Sequence, residues 1–298
     1  MMFNPNKPMR NLNSFRIFTA WLVAALACLP AVSRADELAE KGRAILAKNQ
    51  HAVVTVQLVL KSKISVPGAG GQSSESRSDA TGTVVDPSGL TVLSLSATDP
   101  GQLIQSMMGG MSEDEMKFKM ETELSDLKIL LDDGTEIAAE VVLRDKDLDL
   151  AFIRPKTKLA TPSDALDLSQ AGKAEVLDQV ITINRLGNAA GRAYAASVER
   201  ISAVVQRPRL FYVPDSAMTT TTLGSPAFTL DGKPLGIFVM RSLKGKGGGG
   251  GMFGMFGGQQ ENVTTIIVTA DSVAKAAKQA PAAGAAKETE KKEKEKEK

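Results

Sequence analysis

Short runs of residues that favour β-strands follow one another along the middle of this chain, and their spacing constrains its fold most. Tight turns separate several of them, including residues 86–89, 132–134 and 231–233, which are rich in aspartate and glycine. Helices do not alternate with the runs, as a parallel βαβ sheet would require. The pattern predicts an all-β fold, a barrel or sandwich of about a dozen antiparallel strands. The predicted strands are 52–60, 82–85, 90–95, 127–131, 136–142, 148–153, 179–183, 195–205, 210–213, 227–230, 234–240 and 263–268.

Three stretches interrupt the strand rhythm. Residues 65–81 are rich in glycine and serine and predict a mobile loop, and residues 100–125 predict a methionine-rich loop whose charged second half is partly helical. Residues 244–260 form a glycine run around a Met-Phe-Gly-Met-Phe motif. Such loops are either lightly constrained, or an adaptable surface for apolar peptides, or a thioether site for a soft metal such as Cu(I). The candidate partner-binding residues are Met107, Met108, Met111, Met252, Phe253, Met255 and Phe256.

The N-terminus has the three parts of a secretory signal: a basic start, an apolar run over residues 17–29, and small residues at 33–35. We therefore expect a signal peptide over residues 1–35, an exported periplasmic or secreted protein, and no transmembrane segment after cleavage. The only cysteine, Cys28, lies in this segment and does not fit a lipid-attachment box well. Removal of the signal would leave no thiol for disulfides or nucleophilic catalysis.

Composition also limits the partners. Residues 280–298 hold six lysines and five glutamates with no aromatic residue, which predicts a disordered tail. Their mixed charge, and the formal net charge of +2 for the chain, argue against nucleic-acid binding. The glycine run lacks the residues of a phosphate loop, and the aspartate clusters lack a calcium-loop pattern, so we expect neither a cofactor nor a metal.

The order of the motifs resembles the HtrA (Deg) family of trypsin-like serine proteases over about residues 52–279. Each motif is weak alone, but their order and spacing agree along almost all of the predicted folded part. The motifs are Gly82 to Gly89, residues 131–142 with 144–151, Gly187-Asn188, Ile201-Ser202-Ala203, Asp215 to Met218 with Gly224 and Pro226, residues 230–237 and 263–277.

The resemblance implies two six-stranded antiparallel barrels with short N- and C-terminal helices and an active site between the barrels. We expect an N-terminal helix within residues 36–51 and a protease-like domain over 52–279. Barrel 1 would cover about 52–160 and barrel 2 about 170–270. No peptide-binding PDZ domain, which the family usually carries, follows in this sequence.

The family cleaves peptides with a serine, a histidine base and an aspartate that orients the histidine. Counting from the matching motifs places the histidine position at Ser96, the aspartate position at Asp149 and the serine position at Leu223. Serine cannot accept a proton near neutral pH and leucine has no nucleophile, so we expect no catalytic residues. The glycine that forms the oxyanion pocket is replaced within Thr221-Thr222, which puts that pocket in doubt.

The sequence therefore predicts an inactive protease homologue that binds or scaffolds a peptide or protein. The first alternative is an active serine peptidase with an unconventional arrangement, for instance through Ser225. The sequence offers no general base for that alternative, because the only histidine, His51, precedes the first strand and is far from the histidine position in sequence. The second alternative is an exported soft-metal-binding protein.

Overall fold

The computed structural model describes residues 34–66, 70–98, 119–215, 222–242 and 263–281. Helix α1 (Arg34–Asn49) and a short 3-10 helix (Gln50–Ala52) precede the first strand, α2 (Leu95–Thr98) follows β3, and α3 (Ala270–Ala277) follows the last strand. A second 3-10 helix covers Asn188–Ala190. The strands are β1 (Val53–Val66), β2 (Gly70–Asp86), β3 (Leu90–Ser94), β4 (Lys119–Leu130), β5 (Glu136–Asp145), β6 (Leu150–Pro155), β7 (Gln179–Arg185), β8 (Tyr194–Val205), β9 (Phe211–Pro214), β10 (Pro226–Thr229), β11 (Pro234–Ser242) and β12 (Val263–Thr269).

Barrel 1 closes in the order β1-β2-β3-β6-β5-β4, and every neighbouring pair is antiparallel. Alternate residues of its strands point inward, so valines, leucines and isoleucines pack in the interior. Val56, Leu58, Leu93, Ala151 and Ile153 are among the residues of this core and are almost completely buried.

Barrel 2 closes in the order β10-β11-β12-β9-β8-β7, again with antiparallel neighbours. Its core includes Val180, Ile201, Leu235, Phe238 and Ile267, all buried. Thr269 is the N-cap of helix α3, and its hydroxyl accepts a hydrogen bond from the Ser272 N–H at 3.3 Å. The prediction of two six-stranded antiparallel barrels with short helices is confirmed.

Two local predictions were wrong. The stretch at 65–81, expected as a loop, is mostly strand, because residues 70–81 of β2 pair with β1 from Val66 back to Thr55. Paired backbone amides stabilise a strand even where serines give weak strand propensity. Residues 119–125, expected to be partly helical, also form strand, because β4 pairs with β1 there.

The predicted signal peptide lies almost entirely outside the described residues, and the predicted tail overlaps them only at residues 280 and 281. Within the described ranges, no helix combines the length and the apolar character needed to span a bilayer.

Candidate functional site

Asp149 lies in the turn before β6, with its backbone in the left-handed region at a φ of 54°. Its Oδ1 accepts hydrogen bonds from the Ser96 N–H at 2.9 Å and the Ser96 hydroxyl at 2.6 Å. Its Oδ2 accepts from the Ser94 hydroxyl at 2.5 Å and from the Met240 N–H at 3.0 Å. Met240 lies on β11, so this carboxylate connects barrel 1 to barrel 2.

The donors around Asp149 limit what the carboxylate can do. Burial raises the pKa of Asp149 above its ordinary value, and the hydrogen bonds from Ser94, Ser96 and the Met240 N–H partly oppose that rise. All four donors belong to the protein, and the two hydroxyls do not take up a proton near neutral pH. Asp149 is therefore the one acidic group of this site, and none of its four partners can act as a base.

Gly224 holds a turn against the same region. Its φ is 88°, and a Cβ at this position would lie 2.0 Å from the carbonyl oxygen of Thr81 on β2, so only glycine fits. The Thr83 hydroxyl donates to the Gly224 carbonyl at 2.8 Å, and the Gly224 N–H donates to the Phe238 carbonyl at 2.8 Å. The turn is thus bonded to a strand of each barrel.

The three positions assigned to the triad lie around these two features. Ser96 binds Asp149 directly, and Leu223 is buried next to Gly224. A Cβ on Gly224 would be 3.4 Å from the Cα of Leu93, the residue before Ser94. Thr221 lies outside the described residues, as do the candidate partner-binding residues Met107, Met108, Met111, Met252, Phe253, Met255 and Phe256.

Comparison with known proteins agrees with this architecture. Residues 42–237 match the model of the trypsin-like peptidase domain family, which is well over half of the chain. The chain belongs to this family. A search of curated proteins found no match.

A second cluster of this trypsin-like domain surrounds Asp132, in the turn between β4 and β5. His51 Nδ1 lies 2.8 Å from its Oδ2, and Oδ1 accepts from Arg185 at 2.7 Å and from the Tyr194 hydroxyl at 2.5 Å. The guanidinium carbon of Arg185 lies 4.1 Å from the ring centroid of Tyr194. We call these four residues the Asp132 cluster.

Electrostatics distinguishes the Asp132 cluster from the Asp149 site. Burial works against the charged form of Asp132, but hydrogen bonds from Tyr194, His51 and Arg185 outweigh it and lower the pKa of this carboxyl. A carboxylate can only accept hydrogen bonds. The proton of the bond between His51 and Asp132 is therefore carried by His51 Nδ1. The only histidine of the chain is therefore paired with Asp132.

The two aspartates lie at opposite ends of barrel 1. Ser94 and Asp149 are where β3 ends and β6 begins. The Asp132 cluster borders a cavity of about 580 Å³ that Gly89 and Pro155 line, where β3 begins and β6 ends. His51 and Asp149 are thus at opposite ends of the β3–β6 strand pair.

The sequence did not reveal the Asp132 cluster. Its members come from positions 51, 132, 185 and 194, and only the closure of both barrels brings them together. The aspartate-glycine turn was the one local signal, and it predicted the turn rather than the cluster. Among the described residues, no group of three or more histidine, cysteine, aspartate or glutamate side chains is arranged to hold a metal.

Proposed function

We propose that this trypsin-like domain is an HtrA-like pseudoprotease of the cell envelope, which binds a peptide or protein without cleaving it. The observation that carries the proposal is the set of partners of Asp149. In the family mechanism this carboxylate orients a histidine base. Here the Ser96 N–H and hydroxyl occupy one oxygen, and the Ser94 hydroxyl and Met240 N–H occupy the other.

The proposal follows from the chemistry of peptide hydrolysis. A hydroxyl nucleophile needs a nearby base to take its proton, and the serine that replaces the base cannot do so near neutral pH. The nucleophile position carries Leu223, which is buried and has no group that could form an acyl intermediate. Location in the envelope is supported by the basic, apolar and small-residue segments at the N-terminus.

Partner binding is supported by composition rather than by a contact. The candidate binding residues in the two methionine-rich segments are adaptable or aromatic side chains that suit varied apolar partners: Met107, Met108, Met111, Met252, Phe253, Met255 and Phe256. A soft metal such as Cu(I) is the competing ligand for the same thioethers. Titration of the protein with Cu(I) separates the two, since a thioether site would take up the metal with defined stoichiometry.

An active peptidase that uses Ser225 is the rival function. Ser225 is completely buried, its N–H donates to the Thr222 carbonyl at 3.1 Å, and its carbonyl accepts from the Phe238 N–H at 2.9 Å. The only histidine, His51, is bound to Asp132, at the end of barrel 1 opposite Asp149. Use of Ser225 would therefore need both a new base and exposure of the hydroxyl.

Unfolded, fluorescently labelled casein tests both parts of the proposal. We expect the wild-type protein to increase the anisotropy of the labelled casein and to release no peptides. Deletion of residues 245–258 should weaken binding while leaving the absence of cleavage unchanged. Cleavage that persists in Asp149→Ala but disappears in Ser225→Ala would replace the proposal with the rival function. Absence of binding at any concentration would refute the binding role.

A further inference from the structure

Strand β2 extends well beyond the part that closes barrel 1. Its pairing with β3 covers only Thr83 to Asp86, whereas its pairing with β1 continues back to Gly70. Side chains 72–78 are all exposed. Among the residues that the structure describes, no strand pairs with the outer edge of 72–78. An edge of this kind presents unpaired N–H and C=O groups to another strand.

The sequence of this edge is self-complementary in charge. Ser74, Glu75, Ser76, Arg77 and Ser78 follow one another, with one acid and one base at equal distances from Ser76. In an antiparallel pair, residues at equal distances from the centre face each other and point to the same side. Two such edges centred on Ser76 therefore place Glu75 of each copy opposite Arg77 of the other.

We propose that two copies of this chain associate by antiparallel pairing of their β2 edges, with the two-fold axis at Ser76. The symmetry closes the assembly at two copies, because each edge is used once. Glu75 and Arg77 also neighbour each other along one strand, since residues two apart share a face. The four charges of the two copies thus alternate in sign in both directions.

The other edge of the same extension argues that this complementarity is specific. β5 pairs with β4 only at Lys128 to Leu130, so residues 119–126 of β4 form a second outer edge among the described strands. This edge carries one base, Lys119, and three acids, Glu121, Glu123 and Asp126. One base cannot oppose three acids, so a pair of these edges keeps uncompensated negative charge, which is destabilising across a strand pair.

The exposed charges of Glu75 and Arg77 and the small area of the strand edge determine how strong the dimer should be. Neither Glu75 nor Arg77 forms an ion pair within the described residues, and Asp79, the next charged residue of β2, binds Arg192 at 2.8 Å. Pairing of one short strand edge buries less than the roughly 1,200 Å² of a stable interface. We therefore expect a weak, concentration-dependent dimer that dissociates further as salt screens the exposed charges.

Sedimentation equilibrium of charge-reversal variants tests the proposal. Wild type should shift from monomer to dimer as concentration rises. Glu75→Arg and Arg77→Glu should each weaken self-association about tenfold or more, because each places like charges opposite each other twice. The mixture of these two variants should dimerise, since an Arg-Arg edge then meets a Glu-Glu edge. The double variant should dimerise alone.

The matched control is Glu123→Arg, which reverses a charge on the other edge of the same extension. This variant should self-associate as strongly as wild type. All three positions are exposed, so circular dichroism and unfolding should report intact folds. This assembly is independent of the pseudoprotease proposal, because none of these residues contacts the Asp149 site, and casein cleavage or binding does not bear on it.

Disulfide trapping tests the register. In a Cys28→Ser background, which leaves no other cysteine, Ser76→Cys should form a covalent dimer with diamide, because position 76 faces itself. Ser74→Cys alone should not, whereas its mixture with Ser78→Cys should. A monomeric wild type, a dimer that both single charge reversals leave intact, or chains longer than dimers would each overturn the proposal.

Discussion

The two ends of barrel 1 each carry an aspartate with several donors, and the two carboxylates differ in almost every other respect. Asp149 is partly buried and binds hydroxyls and backbone amides, and burial raises its pKa. Asp132 is 43% exposed and binds His51, Arg185 and Tyr194, and these partners lower its pKa. The residue types of a histidine–aspartate pair are present, but at the end of the barrel away from Asp149.

The contacts at one end of barrel 1 join the two barrels, whereas the other end holds the charged and aromatic side chains. At the Asp149 end, hydrogen bonds of Met240 and Gly224 join the two barrels. Its contacts are those that hold a loop in place. The Asp132 end holds charged and aromatic side chains in a cluster whose carboxylate is partly exposed and whose Arg185 is buried. Exposure of the carboxylate weakens its ion pairs, so we expect substitutions to affect stability less at this end than at the first.

The largest effect should follow from Gly224→Ala. A Cβ there would overlap the Thr81 carbonyl oxygen at 2.0 Å, and φ is 88°, so the turn would have to move out of both barrels. We expect a loss of about 4 kcal/mol in the free energy of unfolding, from left-handed strain plus the overlap. Urea denaturation followed by fluorescence measures this loss.

Gly134→Ala is its matched control at the other end. Gly134 also has a positive φ, 82°, in the turn next to Asp132, but nothing lies within 4 Å of its Cβ position. Only the conformational cost of about 1 kcal/mol should remain. Equal losses in the two variants would show that the close approach to Thr81 does not constrain the Gly224 turn.

The next effect should be that of Asp149→Ala. Its removal leaves the Ser96 and Met240 N–H groups and two hydroxyls without their acceptor in a buried place. Unsatisfied buried donors cost about 1–3 kcal/mol each, and partial relaxation should hold the total near 3 kcal/mol. Thermal or urea unfolding reports it. Asp132→Ala should lose about 1–2 kcal/mol, because water reaches the half-exposed carboxylate although the buried Arg185 loses this acceptor; a loss larger than that of Asp149→Ala would reverse the contrast between the ends.

The pH dependence of stability should have opposite signs at the two carboxyls. Asp149 has a raised pKa in the folded state, so its contribution is fully present below the unfolded pKa of about 3.9 and is lost as pH rises through the folded pKa. Asp132 has a lowered pKa, so its contribution is present above the unfolded pKa and is lost as pH falls through the folded pKa.

Asparagine variants isolate these contributions. The unfolding free energy of wild type minus that of Asp149→Asn should decrease from about pH 3 to pH 7, whereas the difference for Asp132→Asn should increase over that range. Urea titrations at a series of pH values measure both. Curves of the same sign would mean that burial does not dominate at Asp149.

Local pattern and family order together predicted the barrels but not every strand. The alternation of apolar residues and the aspartate-glycine turns marked most strands to within a few residues. Residues 65–81 were mistaken for a loop, because serine and glycine have weak strand propensity. The backbone pairing with β1 that holds them is a long-range contact with no local signal.

The candidate site, like the fold, could be predicted only in part from the sequence. Ser96, Asp149 and Leu223 could be singled out by counting from motifs, and their assignment to the triad positions stays a prediction. Their partners could not be predicted: the Met240 N–H reaches Asp149 from the other barrel, 91 residues away in sequence. His51 gave no sign of its pairing with Asp132, 81 residues further on. Contacts across two closed barrels depend on the whole fold.

The smallest effect should be that of Tyr194→Phe. The phenol ring stacks under Arg185 at 4.1 Å and would remain, so the substitution removes only the hydroxyl that donates to Asp132. Because this hydrogen bond is partly exposed, we expect a loss of about 0.5–1 kcal/mol in urea denaturation. Tyr194→Ala also removes the ring and should lose more. Equal losses of unfolding free energy in the two variants would mean that the hydroxyl of Tyr194, and not its ring, stabilises the Asp132 end of the barrel.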